Sequence, residues 1–285
     1  MTAPFGTRLD SVFGSKGHLC VGVDPHPYLL TEWGLPVDAA GVRSFGLAVV
    51  EAVAASERVG IVKPQVAFFE AYGSAGFAAL EDVLAAARDA GLLVIGDAKR
   101  GDIGSTNDGY AAAWLTPGSP LEVDALTVTA FTGVGALGGL FERAEAAGKG
   151  AFVLSATSNP ESRGLQTART AGASGVSVSR LVADEVAERN GDRTRLGDFG
   201  LVLGATKRLD DYGFAADALR TLSTTPVLAP GFGFQGAEFP AIPHVFGPLA
   251  PNTVVSVSRS ILQHGASGLA GAIANDADAL AEVIA

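Results

Sequence analysis

The sequence predicts a single-domain (β/α)₈ barrel, or TIM barrel, on three observations. Eight short runs of β-type apolar residues recur along the 285 residues, and Ala-rich segments with helical spacing separate most of them. The runs are apolar at almost every position, which is typical of parallel strands covered on both faces. Eight β-then-α units in a chain of this length favour a closed barrel over an open doubly wound sheet. We therefore expect one domain over residues 1–285.

The predicted elements follow one another in a regular order. Strands are predicted at residues 19–24, 60–66, 92–99, 125–130, 152–157, 201–206, 226–230 and 253–259. Helices are predicted at residues 40–56 and 75–90, and Gly91 is placed to end the second of them. Residues 117–122 have the composition of a loop.

One long polar segment interrupts this order. Residues 160–198, between the fifth and sixth strands, are Arg-rich, and we expect an insertion there in which only residues 183–189 are helical. Its Arg163, Arg169 and Arg180 are predicted to be solvated surface charges.

Composition excludes several classes of function. A hydrophobic fraction of 48% supports a large core, and the net charge of −10 argues against nucleic-acid binding. We expect no membrane association, because no stretch approaches eighteen uninterrupted apolar residues, and the N-terminus lacks a targeting pattern. The expected location is therefore cytoplasmic.

Metal-binding patterns are missing from the sequence. The single cysteine, Cys20, lies in an apolar run and is predicted to be a buried structural thiol. The histidines, His18, His26, His244 and His264, are scattered without the spacing of metal ligands. No metal site is expected.

Ionisable residues fall at the carboxyl ends of the predicted strands. Asp24 ends the first strand, Lys63 lies in the second, Asp97 and Lys99 lie in the third, and Arg259 ends the eighth. The carboxyl ends of all strands in a parallel barrel share one rim, where active sites are built. Because charges inside a barrel are costly unless they pair or face its mouth, this distribution predicts a site at that rim.

Four charged residues can form an alternating array. Asp97 and Lys99 are two residues apart on one strand, so their side chains point to the same face. Lys63 comes from the neighbouring strand, and Asp102 follows on the loop. Mutual pairing would keep both lysines protonated and both aspartates ionised. Ordinary salt bridges at the rim are the alternative, and the convergence of four charges favours a functional site.

A phosphate-binding site is predicted at the last two strands. The glycine-rich Ala229-Pro-Gly-Phe-Gly-Phe-Gln-Gly236 follows the seventh strand, and Val257-Ser-Arg-Ser-Ile261 closes the eighth. Barrels often bind phosphate at these two loops through backbone N–H groups. Arg259 offers a forked guanidinium grip and Gln235 an amide donor.

Several segments together resemble one family of decarboxylases. Asp97-Ala-Lys-Arg-Gly-Asp102 matches the D-x-K-x-x-D signature of the orotidine 5′-phosphate decarboxylase superfamily. Taken with Val62-Lys-Pro-Gln-Val-Ala-Phe-Phe-Glu70, residues 97–107 and Thr157-Ser-Asn-Pro160, it is similar to the longer bacterial subgroup, type 2. The resemblance covers nearly the whole barrel, whereas D-x-K-x-x-D alone is shared by the superfamily.

This resemblance implies a carboxy-lyase that converts orotidine 5′-monophosphate (OMP) to UMP and CO₂ in pyrimidine biosynthesis, without metal or organic cofactor. Lys99 would deliver a proton to C6 after CO₂ leaves, because a fixed ammonium can stabilise and then protonate a carbanion. Asp97 would lie against the substrate carboxylate, and Lys63 would hold the array and contact the ribose. Asp102 is expected to reach the partner's site in a homodimer, with Thr106 near it.

The resemblance also implies further substrate contacts. Asp24 matches the ribose-binding aspartate, and Ser158 matches the residue that hydrogen-bonds the pyrimidine, although Ser155 and Thr157 stand close by as alternatives.

The phosphate grip of the family matches Gln235 and Arg259. Residues 160–198, or the loop after Pro230, are the candidates for a lid that closes over the substrate.

Two other functions remain open at this point. A Mg²⁺-dependent sugar-phosphate lyase of the same superfamily would resemble this chain at D-x-K-x-x-D, but it would carry an acidic metal ligand where Lys63 stands. A non-catalytic nucleotide-binding barrel would bind UMP without turnover, and it would have no need for two lysines and two aspartates at one place.

Overall fold

Eight parallel strands close into a barrel in the order of the chain. In a computed structural model that describes residues 2–171, 175–191 and 195–284, each strand pairs with the next and the eighth pairs with the first. The strands are β1 Leu19–Val23, β2 Ile61–Pro64, β3 Leu93–Arg100, β4 Ala125–Val128, β5 Gly150–Ala156, β6 Phe199–Leu203, β7 Val227–Ala229 and β8 Thr253–Val257. The predicted (β/α)₈ fold is confirmed.

Helices separate the strands and cover the outside of the barrel. They are α1 Phe5–Lys16, α2 Pro27–Glu32, α3 Ala39–Ser56, α4 Val66–Glu70, α5 Gly73–Asp89, α6 Gly104–Leu115, α7 Gly138–Ala147, α8 Arg163–Gln166, α9 Val178–Asn190, α10 Ala216–Arg220, α11 Ile242–Phe246, α12 Arg259–Leu262 and α13 Gly265–Ala281. Short 3₁₀ helices cover Val134–Leu137, Pro160–Ser162, Leu209–Tyr212, Gly233–Gln235, Phe239–Ala241 and Gly247–Asn252. The two helices predicted at residues 40–56 and 75–90 are α3 and α5.

The segment predicted as a long polar insertion contributes a helix to the barrel. Residues 172–174 and 192–194 of that segment lie outside the described residues. Helix α9 is longer than the predicted stretch 183–189, because Ser177 caps its start by accepting a hydrogen bond from the Arg180 N–H. The apolar face of α9, with Val182 and Val186, is buried, and the helix packs against β5 and β6.

Alternation along the strands decides what fills the barrel. Near the amino ends of the strands, the inward side chains form an apolar cluster, and Phe5 and Leu9 of α1 join it. The members from the strands are Cys20, Ile61, Leu93, Ile95, Ala125, Phe152, Val202, Leu228 and Val254. Helix α1 therefore closes the amino end of the barrel. Nearer the carboxyl ends, buried inward positions become polar, namely Lys63, Asp97, Thr127 and Ser256. This change in polarity positions the site.

Helix α3 is long and apolar enough, by length and composition alone, to cross a membrane, and it is the one such helix in the described part of the chain. One face, with Val42, Phe45 and Val49, is fully buried. The helix packs against α5 and α13, as an outer-layer helix of a barrel does.

An ionic network ties α1 to the amino end of the barrel around Asp124. The Oδ1 atom of Asp124 accepts hydrogen bonds from Arg8 at 2.6 Å and from Lys149 at 3.3 Å, and Oδ2 accepts one from the Val94 N–H at 2.9 Å. The side chains of Asp124 and Lys149 are only 10% and 6% exposed.

We expect Asp124→Ala to lower the free energy of unfolding by about 2 kcal/mol, because the Val94 N–H loses its acceptor and Arg8 loses its carboxylate. Lys149 keeps its ion pair with Glu122 at 2.7 Å in the variant. Urea denaturation would measure the loss. Asp82→Ala is the matched control, since Asp82 and Arg43 pair with about half of each side chain exposed, and we expect a change below about 1 kcal/mol there. Equal losses in the two variants would contradict the structural role of the network.

Candidate active site

A cavity of about 430 Å³ opens at the carboxyl ends of the strands. Seven of the nine predicted site residues line it, namely Asp24, Lys63, Asp97, Lys99, Ser158, Gln235 and Arg259. Its floor is apolar and consists of inward side chains of three strands, Leu154, Val202 and Leu228. The cavity is therefore a charged and polar chamber above an apolar floor.

Three of the four predicted charges form a continuous array in the cavity. The Lys63 ammonium donates to Asp97 Oδ2 at 2.8 Å, and the Lys99 ammonium donates to Asp97 Oδ1 at 2.6 Å. Lys63 and Asp97 are buried, whereas the Lys99 side chain is 46% exposed. Lys99 is therefore the member of the array that a ligand entering the cavity can reach most easily.

Electrostatics keep the buried members of this array ionised. Burial alone would lower the pKa of the Lys63 ammonium, but the negative charges of Asp97 and Asp24 raise that pKa above its ordinary value. Burial alone would raise the pKa of the Asp97 carboxyl, but the ammonium groups of Lys63 and Lys99 hold this pKa well below its ordinary value. With Arg259 included, three cationic side chains face the carboxylates of Asp97 and Asp24 in the cavity. This positive excess suits an anionic ligand.

The backbone of Lys99 is strained. Its φ is +49°, a left-handed conformation that residues with a Cβ rarely adopt. The pairing of β3 with β4 also shifts register between Gly96 and Arg100. Strain of this kind concentrates at functional sites, where the surrounding structure holds it in place.

Asp24 has one carboxylate oxygen in use and one unpaired. Its Oδ2 accepts a hydrogen bond from the Ser258 hydroxyl, while Oδ1 is buried without a partner among the described residues. Gly22 makes room for Ser258, because a Cβ at that glycine would lie 2.7 Å from the Ser258 Cβ. A buried oxygen without a partner is costly, so Asp24 Oδ1 marks a place where a ligand hydroxyl would bind.

A further side of the cavity is built from the β7 and β8 loops. The Arg259 guanidinium lies 3.8 Å from the centre of the Phe234 ring, a cation–π stack that restricts its orientation. Gln235 follows Phe234 in the same turn and also lines the cavity. Glycine is required at Gly233, where φ is +67° and a Cβ would lie 2.4 Å from Ser260 Oγ.

The structure distinguishes the three hydroxyl groups at the end of β5. Ser155 donates to the backbone of α9 at 2.8 Å and is 2% exposed, so it faces away from the cavity. The Thr157 hydroxyl is occupied by Asn159 at 2.8 Å and by Gln166 at 3.0 Å. Ser158 lines the cavity, and among the described residues its hydroxyl has no hydrogen-bond partner.

Asp102 and Thr106 are not among the residues that line the cavity of their own chain. Asp102 Oδ1 accepts a hydrogen bond from the Ile103 N–H at 2.8 Å, and the Asn107 amide donates to the Asp102 carbonyl at 2.5 Å. Thr106 is exposed on the first turn of α6. The fourth charge of the predicted array is therefore absent from the array that one chain forms.

Three residues that contribute to the site were not predicted as site residues. Thr127 donates to Asp97, Ser258 donates to Asp24, and Phe234 stacks on Arg259. Thr127 and Ser258 carry hydroxyl groups in otherwise apolar strand segments, and an alternation count could have placed Thr127 on the inward face. No sequence signal indicated the stack of Phe234.

The described residues hold no group of three His, Cys, Asp or Glu side chains placed to bind a metal ion. Cys20 is fully buried, as predicted, and burial raises the pKa of its thiol to about 12.

Comparison with known proteins decides the family. The model of the orotidine 5′-phosphate decarboxylase / HUMPS family matches residues 17–271, which is most of the chain. The chain belongs to the orotidine 5′-phosphate decarboxylase / HUMPS family. The resemblance inferred from the motifs of the third strand and its neighbours is thereby confirmed.

Relatives within the orotidine 5′-phosphate decarboxylase family cover nearly the whole chain. A Salinispora tropica protein named orotidine 5′-phosphate decarboxylase is 49% identical over 261 residues, covering 92% of this chain and 90% of its own. One of the same name from Corynebacterium efficiens is 47% identical over 268 residues, covering 93% of this chain and 92% of its own. A crystal structure from Streptomyces avermitilis, named as a candidate orotidine 5′-phosphate decarboxylase, is 44% identical with a TM-score of 0.91, covering 99% of this chain and 96% of that one.

Proposed function

We propose that this chain decarboxylates OMP to UMP and CO₂, as a carboxy-lyase of pyrimidine biosynthesis. The observation that carries the proposal is the Lys63–Asp97–Lys99 array, which lines one cavity together with Asp24 and the Arg259 loop. A nucleotide that carries a carboxylate has two anionic groups, the carboxylate and the phosphate. The cavity offers ammonium groups for the carboxylate and a guanidinium for the phosphate. The shared family and the names of the relatives support the same reaction.

The substrate would lie across the cavity with its phosphate at the β7 and β8 loops. Arg259, restrained by Phe234, and Gln235 would grip the phosphate. The unpaired Oδ1 of Asp24 would accept a hydrogen bond from a ribose hydroxyl. Ser158, whose hydroxyl is free among the described residues, would bind the pyrimidine.

The array would supply the chemistry. When the bond between C6 and the carboxylate breaks, CO₂ leaves and the electron pair stays on C6. The Lys99 ammonium would stabilise that charge and then transfer its proton to C6, which gives UMP and a neutral amine. Asp97 would place negative charge beside the carboxylate of the bound substrate, and repulsion there would ease as CO₂ departs. Lys63 would hold Asp97 and contact the ribose. The ammonium groups thus take the place of a metal ion or an organic cofactor.

A homodimer with shared sites is the second part of the proposal. Asp102 and Thr106 stand outside the cavity of their own chain, and Asp102 would complete the array in the partner's cavity. Two strongly exposed apolar side chains accompany them, Ile103 at 62% and Phe131 at 80% exposure. The loops that carry these side chains touch where the Thr132 hydroxyl donates to the Asp102 carbonyl at 3.3 Å. Exposed apolar groups beside polar ones are typical of protein interfaces.

The alternative of a Mg²⁺-dependent sugar-phosphate lyase is disfavoured by Lys63. Its ammonium lies 2.8 Å from Asp97 Oδ2 and occupies the carboxylate with which a cation would have to bond. A non-catalytic nucleotide-binding barrel would not require this buried array, which is costly to maintain. We also propose a cytoplasmic location, in keeping with the proposed substrate, which is a soluble nucleotide.

An absorbance assay tests the proposed function directly. We expect purified protein to convert OMP to UMP, with loss of the OMP absorbance, at the same rate in the presence and absence of EDTA. Folded protein that leaves OMP unchanged would overturn the proposal. In that case sugar phosphates with Mg²⁺ would be the next substrates, as the sugar-phosphate lyase alternative requires. Turnover of OMP that EDTA abolishes and Mg²⁺ restores would contradict the metal-free chemistry.

A further inference from the structure

Thr127 connects two members of the charged array through one hydroxyl group. The residue lies in β4 with its side chain 1% exposed, and it lines the cavity. Its Oγ1 accepts a hydrogen bond from the backbone N–H of Lys99 at 3.0 Å and donates one to Asp97 Oδ1 at 2.9 Å. Valine has the same shape as threonine and is common at buried strand positions of this kind. The hydroxyl group at this position therefore points to a role for its hydrogen bonds.

The register shift between β3 and β4 explains the first of these hydrogen bonds. Gly96 pairs with Leu126, and the next pair is Arg100 with Val128, so three residues of β3 stand opposite Thr127 alone. Across such a bulge the regular ladder does not supply an acceptor for each N–H group. The Thr127 hydroxyl supplies it for Lys99, whose φ of +49° is the strained conformation at this point.

The second hydrogen bond completes the environment of Asp97. Oδ2 is held by Lys63 at 2.8 Å, while Oδ1 is shared between Lys99 at 2.6 Å and Thr127 at 2.9 Å. Without the Thr127 hydroxyl, each carboxylate oxygen of Asp97 would be bound by one lysine alone. The backbone of Lys99 would then no longer be linked to the Asp97 carboxylate through a shared hydroxyl. The hydroxyl therefore fixes the base of the Lys99 side chain relative to the group that its ammonium contacts.

We propose that Thr127 is a positioning residue that orients the Lys99 ammonium for proton delivery by anchoring the strained Lys99 backbone and Asp97 to a single hydroxyl. The inference rests on the proposed function, in which Lys99 is the proton donor. Thr127 acts through Lys99 and Asp97, which are the residues that face the reacting atoms.

Three substitutions separate the hydroxyl from the rest of the side chain. Thr127→Val keeps the branched shape and removes both hydrogen bonds, Thr127→Ser keeps the hydroxyl, and Thr127→Ala removes both features. We expect Thr127→Val and Thr127→Ala to lower kcat for OMP by about 10- to 100-fold, since a misplacement of about 1 Å can cost about 100-fold. KM is expected to change by less than about threefold, because the phosphate and ribose contacts are untouched, and Thr127→Ser is expected to keep kcat within about threefold.

A matched control is available in Thr225. This threonine is fully buried, and its hydroxyl has no partner among the described residues. Thr225→Val should therefore leave both kcat and KM unchanged. A Thr127→Val enzyme with the kcat of wild type would overturn the inference, as would a Thr127→Ser enzyme as slow as the valine variant. If the valine variant does not fold, the comparison of Thr127→Ala with Thr127→Ser decides the same question.

Amide hydrogen exchange gives a readout that does not depend on activity. We expect the Lys99 amide to exchange at least about tenfold faster in Thr127→Val than in wild type, and to keep its protection in Thr127→Ser. Unchanged exchange in the valine variant would show that the hydroxyl does not hold the Lys99 backbone. Wild-type protein without OMP turnover would instead overturn the proposed function, so the two failures are distinguishable.

Discussion

Lys99→Ala is expected to reduce kcat for OMP by about 10⁴-fold or more, because one ammonium group has two roles in the proposed reaction. Proton donation by a positioned group is worth about 10²- to 10⁴-fold, and fixed stabilisation of developing charge is worth about 10²- to 10³-fold. Steady-state assay of OMP loss measures the effect. The fold should survive, since Asp97 keeps hydrogen bonds from Lys63 and Thr127 in the variant.

Lys99→Gly separates strain from catalysis at the same position. Glycine tolerates a φ of +49°, whereas alanine does not, so we expect the glycine variant to be about 1 kcal/mol more stable than the alanine variant. Both should be equally inactive. Lys16→Ala is a suitable control, because Lys16 lies at the end of α1, on the closed side of the barrel. A Lys99→Ala variant whose kcat stays within tenfold of wild type would show that Lys99 is not the proton donor.

The barrel could be predicted because its strands obey simple rules. Each strand is buried on both faces, so apolar runs mark all eight strands without a long-range contact being known. Predicted ends were less accurate, and the second, fourth, sixth and eighth strands end two or three residues earlier than expected. At these ends the chain leaves the ladder to build the cavity, and the turn depends on contacts with neighbouring loops.

The charged members of the site could also be predicted, for an energetic reason. Lys63 and Asp97 stand out because an ionised group in an apolar strand is costly unless it is paired. Thr127 gave no such signal, since a β-branched residue is ordinary in a strand. The strained φ of Lys99 arises from a bulge against β4 and therefore cannot be inferred from β3 alone.

Contacts that form when the barrel closes could not be predicted from the sequence. Ser258 reaches Asp24 only because β8 pairs with β1, across more than two hundred residues of chain. The choice among the hydroxyl groups after β5 likewise required the position of α9, which turns Ser155 away from the cavity. In both cases the sequence supplied the polar residue, and the tertiary structure determined its direction.

Asp102→Ala is expected to lower kcat/KM for OMP by about 10³-fold, through loss of a carboxylate from the partner's cavity. Asp102 lies outside the cavity of its own chain, so its effect should pass between subunits. A heterodimer of one Asp102→Ala protomer and one Lys99→Ala protomer tests this. In that heterodimer one site would combine an intact Lys99 with an intact Asp102, and the other would lack both.

Co-expression with two different affinity tags allows this heterodimer to be purified, and we expect about half of the wild-type activity per dimer, since a twofold symmetric dimer has two equivalent sites. The matched control is a heterodimer of Lys63→Ala with Lys99→Ala. Both of these residues lie in the cavity of their own chain, so neither site is restored and no activity should return. An inactive Asp102→Ala/Lys99→Ala heterodimer would show that Asp102 acts within its own subunit or on the fold. Half-activity in the first heterodimer and none in the second would require a carboxylate supplied by the partner, because no arrangement within one chain restores a site in the first pair and leaves the second pair inactive.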